Sequence, residues 1–184
     1  KEIVKILRET LPKSIEINFQ VPNDLWIISA DATQMHQVLM NLCVNARDAM
    51  PEGGSISIKA QNVFLDENYA RMHIEAKAGR FVVISVSDTG PGMTHEIQSR
   101  IFEPFFTTKE MTKGTGLGLS TALTIVKSHG GFINVYSELH KGSHFAVYLP
   151  ALAMPDTFDA AAAQTDLPLG NRELVLVVDD EESI

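Results

Sequence analysis

The sequence predicts an α/β fold, a two-layer sandwich of strands and helices. Three observations predict it. Residues 15–21 and 56–60 alternate apolar and polar side chains at period two, the pattern of half-buried strands. Residues 31–50 and 117–129 carry apolar side chains at helical spacing, the pattern of helices with one buried face. Residues 81–86 (FVVISV) form an apolar run that suits a buried strand. Hydrophobic residues make up 45% of the 184, enough to fill a sizeable core.

The elements follow in order. Ile3, Ile6 and Leu7 share a helical face in a segment that stops at Pro12; we expect residues 1–11 to end a helix that begins upstream. Ile15, Ile17, Phe19 and Val21 alternate as a strand, and Pro22-Asn23-Asp24 turns the chain. Asp31 has the character of an N-cap, with Gln34 three residues on, a variant of the capping box. Met35, Val38, Leu39, Leu42, Ala46 and Ala49 then mark one face of a helix closing at Met50-Pro51. Gly53-Gly54 turn into a strand over 56–60, and the polar, mixed stretch 62–80 predicts a loop with some helix. After strand 81–86 come a short helix over 94–101 and a second long helix over 117–129, closed by Gly130-Gly131. Residues 132–137 and 144–149 predict a hairpin around Lys141-Gly142.

Composition narrows the function. Fifteen Lys and Arg against 23 Asp and Glu give a net charge of −8, which argues against gripping nucleic acid or an anionic membrane. The acidity is concentrated in residues 151–184, which hold eight acids and one base, so residues 1–150 are nearly neutral. One cysteine, Cys43, excludes an internal disulfide framework and a Cys-based zinc cluster. There is no run of 18 apolar residues and no visible leader. The chain begins Lys1-Glu2-Ile3 without Met, so a piece of a longer protein in a reducing, cytoplasmic setting is the expectation.

Three groups of residues can carry chemistry. Asn41, Asn45 and Asp48 lie at i, i+4 and i+7 on helix 31–50, opposite its apolar stripe. Such a stripe is usually a solvated face, yet two asparagines one turn apart are poor helix formers. Asp88-Thr89-Gly90-Pro91-Gly92 follows the buried strand; it is either a tight turn or a place where the backbone passes close to a ligand beside a carboxylate. Gly114-Thr115-Gly116-Leu117-Gly118 opens a helix, where backbone N–H groups and the helix dipole favour an anion. It is neither a Walker A loop nor a dinucleotide fingerprint, so phosphate binding is one of two open readings.

Order and spacing resolve these readings. Residues 12–150 resemble the ATP-binding catalytic domain of sensor histidine kinases, within the GHKL group. Residues 41–49 (NLCVNARDA) resemble its N box, and residues 88–93 (DTGPGM) its G1 box. Residues 102–109 (FEPFFTTK) resemble the F box, 114–120 (GTGLGLS) the G2 box and 142–145 (GSHF) the last glycine box. The resemblance implies the Bergerat fold, a mixed β-sheet with helices on one face, and ATP and Mg²⁺ as ligands. It implies that Asn45 supplies a side-chain oxygen to Mg²⁺ and that Asn41 helps hold phosphate or metal-bound water. Asp88 would accept the adenine amino group, with Gly90 and Gly92 keeping the backbone clear of the base. Gly114, Thr115, Gly116, Leu117 and Gly118 would form the phosphate loop, with Lys109 and Lys113 offsetting phosphate charge. Ser143 would reach adenine through water. Residues 99–116 would be the ATP lid, its Phe102, Phe105 and Phe106 packing on the domain or a partner rather than stacking on the ligand.

Asp48 departs from the many histidine kinases that carry a basic residue there, so no phosphate role is carried over to it. Clamp ATPases of the group place a Glu one turn before the metal-binding Asn; here Asn41 stands there and cannot take a proton at neutral pH. That favours a kinase over a hydrolase; a clamp ATPase and an inactive nucleotide-binding module are the alternatives. The implied acceptor is a histidine on a preceding dimerisation domain, which would make the full protein a homodimer. None of His36, His73, His95, His129, His140 and His144 is placed to be that acceptor, so no catalytic residue is assigned here. Residues 151–171, rich in Ala, Asp and Pro, predict a linker. Residues 172–184 (RELVLVVDDEESI) resemble the first strand of a response-regulator receiver domain. The parent would then be a hybrid histidine kinase, or the cytoplasmic part of a membrane-anchored sensor.

Overall fold

The computed structural model describes residues 6–7, 10–72, 75–109 and 115–152. The expected linker beyond Leu152 and the receiver-like stretch lie outside the described residues, as do Lys113 and Gly114. Of the expected upstream helix, Ile6, Leu7 and Thr10 are described and helical. Leu7 and Leu11 are buried in the core.

The described elements are β1 (Ile15–Gln20), α1 (Ala32–Ala49), β2 (Gly54–Leu65), α2 (Glu67–Met72), β3 (Gly79–Asp88), α3 (His95–Arg100), α4 (Gly118–Ser128), β4 (Phe132–Glu138) and β5 (Gly142–Pro150). The strands make one five-stranded sheet in the order β1-β2-β3-β5-β4. It is mixed: β1 runs parallel to β2, with Ile15 opposite Gly54, and the other pairs are antiparallel. A parallel pair needs a long crossover, and α1 provides it.

Local chemistry sets the helix ends. The Asp31 carboxylate accepts from the Gln34 N–H at 2.8 Å and starts α1. Pro51, with no N–H to give, follows its end. Thr94 caps α3 in the same way, accepting from Ile97 N–H at 3.3 Å. His129 ties two helices together. Its Nδ1 lies 2.8 Å from the carbonyl of Ile125 at the end of α4, and its Nε2 accepts from the Asp31 N–H at 3.2 Å.

The main core fills the space between α1, α4 and one face of the sheet. Val38, Leu42, Cys43 and Ala46 of α1 meet Ala122, Ile125 and Val126 of α4 over Ile56, Ile58, Val86, Val147 and Leu149. Each fully buried aliphatic side chain here contributes about 1.5–3 kcal/mol relative to exposure. A smaller cluster of Leu65, Ala76, Phe81 and Phe132, with Tyr69 and Tyr148 against it, lies on strand positions of opposite parity. There the rings of Phe132 and Tyr148 stack at 4.3 Å. So α2 covers part of the second sheet face while both long helices share the first.

Two boundaries differ from the sequence expectation. β2 runs to Leu65 rather than Ala60, and β3 begins at Gly79. The expected loop over 62–80 is therefore partly ladder, with Asn62 opposite Val82 and Leu65 opposite Gly79. The polar residues that broke the alternation belong to a strand whose second face is only partly covered. Beyond β5, Ala151 bridges Ile28, and Leu152 N–H donates to the Ile27 carbonyl at 2.8 Å. Among the described residues no helix is long and apolar enough to cross a membrane.

Candidate functional site

Alpha helices α1, α3 and α4, the end of β3 and residues 106–109 enclose a cavity of about 720 Å³, within the range of small-molecule sites. Asn41, Asn45, Asp88, Gly92, Lys109, Thr115, Gly116, Gly118 and Ser143 all line it. Three sequence groups far apart in the chain thus converge on one space.

At the β3 end, Asp88 Oδ1 accepts from the Gly90 N–H at 2.8 Å and from the Ser143 N–H at 3.3 Å. Both bonds fall on one oxygen, so Oδ2 is the one left for a ligand donor. Burial raises the pKa of this carboxyl above the ordinary aspartate value, against those two N–H bonds, which lower it. The turn after it is laced to the β4–β5 hairpin. Met93 N–H donates to Ser137 Oγ at 2.8 Å, and His140 N–H to the Pro91 carbonyl at 2.6 Å. Gly92 sits at φ +68, and a Cβ there would collide with the Glu138 carbonyl, so only glycine lets the loop lie so close. Gly90 does not line the cavity; its N–H holds Asp88 instead. Ser143 does line it, but its hydroxyl is engaged with Ser137 Oγ at 3.0 Å.

At the α1 side, Asn41 donates through Nδ2 to the Gly118 carbonyl at 2.9 Å and so locks α1 to the start of α4. Leu117, at the N-cap of α4, makes no side-chain capping bond and is absent from the cavity wall. The first N–H groups of α4 are free of side-chain capping, an arrangement that favours an anion at a helix N-terminus. Lys109 Nζ lies 3.4 Å from Asn45 Oδ1 and 2.8 Å from Asp48 Oδ2. Arg47 holds the other oxygen, Oδ1, through Nε at 2.8 Å and Nη2 at 2.7 Å. Burial pushes the Asp48 carboxyl up, but hydrogen bonds and charge from Lys109 and Arg47 outweigh it, leaving its pKa below the usual value.

The F-box and G2-box stretches touch directly. Phe105 N–H donates to the Gly116 carbonyl at 3.0 Å, and both residues are left-handed, at φ 66. Phe102 and Phe106 pack on the core as expected, with the Arg100 guanidinium 4.4 Å above the Phe106 ring. Phe106 also lines the cavity, while Phe105 is 73% exposed. The apolar wall of Met93, Ile97, Ile101, Leu119 and Phe145 went unassigned from sequence. The i, i+4, i+8 spacing of Met93, Ile97 and Ile101 was the signal that could have found it.

Asn45 offers a neutral carboxamide oxygen to the cavity, and the Lys109 ammonium already stands against it as a cation. Among the described residues no group of three His, Cys, Asp or Glu side chains could hold a metal by itself. That donor set fits an ion held jointly with a ligand's phosphates rather than in a protein cage.

The chain is similar to known proteins in sequence and in fold. Residues 30–153 match the family model of histidine kinase-, DNA gyrase B- and HSP90-like ATPases. Sensor kinase CckA of Brucella abortus (strain 2308) is 40% identical over 97% of this chain, and sensor histidine kinase ZraS of Escherichia coli (strain K12) is 38% identical over 75%. The chain spans only 20% and 26% of those relatives. Among solved structures, the nucleotide-free catalytic domain of histidine kinase ThkA superposes with a TM-score of 0.64 at 33% identity, covering 82% of this chain and 90% of that one. A further ThkA structure holds that kinase in complex with the response regulator TrrA. The chain therefore belongs to the histidine kinase-, DNA gyrase B- and HSP90-like ATPase family and is homologous to the catalytic domains of sensor histidine kinases.

Proposed function

We propose that this domain binds ATP with Mg²⁺ in the cavity and passes the γ-phosphoryl group to a histidine on a dimerisation domain of the same protein. The parent protein would work in two-component signalling, as a cytoplasmic homodimer or the cytoplasmic part of a membrane-anchored sensor. Its downstream partner would be a receiver domain, in cis after residue 172 or on a separate response regulator. Domain limits of 12–150, with a linker over 151–171, belong to this reading.

The observation that carries it is the convergence of Asp88, Asn45 and Lys109 on one cavity. Asp88 Oδ2 accepts the adenine amino group, while the Gly90 N–H keeps the carboxylate aimed. Gly92 lets the loop lie close beside the base. Asn45 Oδ1 would hold Mg²⁺, which when bound would supply neutralisation of phosphate charge. Asn41, fixed by its bond to Gly118, presents its own oxygen to the same end. Thr115, Gly116 and Gly118 receive the phosphates at the start of α4, with Gly114 and Leu117 completing the loop, and Lys109 and Lys113 offset their charge. Ser143 reaches the adenine end through water. The transfer breaks the bond between the γ-phosphorus and its bridging oxygen, forms a nitrogen–phosphorus bond and releases ADP.

Kinase rather than hydrolase chemistry is supported by Asn41, which has no proton-accepting function one turn before Asn45. It is also supported by the kinase names of the relatives at 40% and 38% identity. The test is incubation with γ-labelled ATP and a separately made dimerisation domain. Acid-labile, alkali-stable label on that domain is expected. Rapid phosphate release without labelled protein would move the assignment to a clamp ATPase.

A further inference from the structure

We propose that Asp48 is a positioning residue: it holds the Lys109 ammonium at the phosphate end of the cavity, and so sets nucleotide affinity without touching nucleotide itself. The inference rests on the nucleotide-site reading above and adds to it a residue for which the sequence offered no role.

The geometry is a chain of charges. Each carboxylate oxygen of Asp48 has one cation, Arg47 on Oδ1 and Lys109 on Oδ2. Two cations on one anion leave a net positive charge beside a cavity that takes a polyanion. An ammonium has three donors, and among the described residues Lys109 Nζ uses one on Asp48 at 2.8 Å and one on Asn45 at 3.4 Å. The third is left for a phosphate oxygen. The bond to Asn45 is long and yields when that carboxamide takes a ligand; the bond to Asp48 is short and charge-assisted, and stays. The pair is half-buried, with side-chain exposures of 30% for Lys109 and 23% for Asp48, so water screens it less than a surface pair.

A lysine on a loop otherwise sweeps a wide volume, and ordering it on binding costs rotamer entropy. Asp48 meets that cost beforehand. A carboxylate next to a phosphate site would by itself repel the ligand, and this gives the proposal its sign. If Asp48 acts by simple charge, its removal tightens ATP; if it acts through Lys109, its removal weakens ATP.

The experiment measures Mg·ATP dissociation constants by calorimetry for the wild type, Asp48→Asn, Lys109→Ala and the double variant, with thermal melts of the nucleotide-free proteins alongside. Asp48→Asn is expected to weaken binding about tenfold, ~1.4 kcal/mol. In the Lys109→Ala background the same change is expected to do less than about twofold. Asp48→Glu, which keeps the ion pair, is expected to retain binding. Unchanged or tighter binding by Asp48→Asn overturns the proposal, and so do single effects that multiply in the double variant. If Asp48→Asn does not fold, Asp48→Ser carries the test: it must weaken binding with Lys109 present and change it less than about twofold in the Lys109→Ala background, and failure to do so overturns the proposal. A wild type that does not bind Mg·ATP defeats the reading of the site, whereas a wild type that binds beside unaffected Asp48 variants defeats this inference alone.

Discussion

The backbone N–H of Ser143, at the start of β5, donates to Oδ1 of Asp88, at the end of β3, at 3.3 Å. The carboxylate proposed to recognise the base is thus oriented by the neighbouring strand and not by its own loop alone. With the Gly90 N–H on the same oxygen, the group is fixed before any ligand arrives.

Asp88→Asn is expected to separate function from stability. The carboxamide keeps an oxygen for Gly90 and Ser143, but its other atom is a donor facing a donor. ATP affinity is expected to fall about 10–100-fold, the range for a lost bond to a charged group. Stability moves the other way. The folded-state pKa of Asp88 is raised by burial; such a group contributes fully below its unfolded pKa and loses that contribution as pH rises through the folded value. At neutral pH the variant is therefore expected to be as stable as the wild type or more so. Calorimetric titration and urea unfolding across pH check both halves.

Asp48 has the opposite pH signature. Its folded pKa is lowered despite burial, through Lys109 and Arg47, so its contribution is present above the unfolded aspartate value and is lost as pH falls through the folded one. The stability difference between wild type and Lys109→Ala is expected to shrink on acidification through that window and to hold level from pH 6 to 8.

Asn45→Ala is expected to weaken nucleotide binding in the presence of Mg²⁺ by about 100-fold, in line with losses at metal-supporting positions, and to leave binding in EDTA much less changed. Equal losses in both conditions would place Asn45 on the phosphates instead of the ion. Phosphorylation of the separately made acceptor domain follows the same order.

Gly92→Ala tests the hairpin clamp. Positive φ and a collision with the Glu138 carbonyl act together, so a loss of about 3 kcal/mol is expected from strain and overpacking. Denaturant unfolding measures it. Gly79→Ala is the control, because φ there is also positive but nothing lies within 4 Å of the added atom.

Cys43 is fully buried, with its thiol pushed up to about 12 by burial. It is expected to resist alkylation in the folded protein at pH 8 and to react only at the rate of unfolding, because the thiolate is the reactive form. Fast labelling under native conditions would contradict the packing of α1.

Much of this was legible in the sequence where local rules decide. The Asp31 cap, the apolar stripe of α1 and the Lys141-Gly142 hairpin follow from neighbours within a few residues. The second half of β2 was not legible, because Gln61 and Asn62 owe their strand conformation to pairing with Val83 and Val82 of β3. The tie between Asp48 and Lys109 spans 61 positions, and no periodicity carries such a contact. Phe105 at φ 66 was invisible for a similar reason: its conformation is imposed by the Gly116 carbonyl.

One consequence of α1 having two working faces is thermodynamic. Asn41 and Asn45 point into the cavity while Val38, Leu42, Cys43 and Ala46 are interior. The helix cannot open at the site without dismantling the interior it helps to build. Its central amides should therefore exchange with deuterium only through near-global opening, whereas those of the α2 turn, which buries no residue of its own, exchange by local fluctuation. Along α1, the cavity-facing wall inherits the lifetime of the native state.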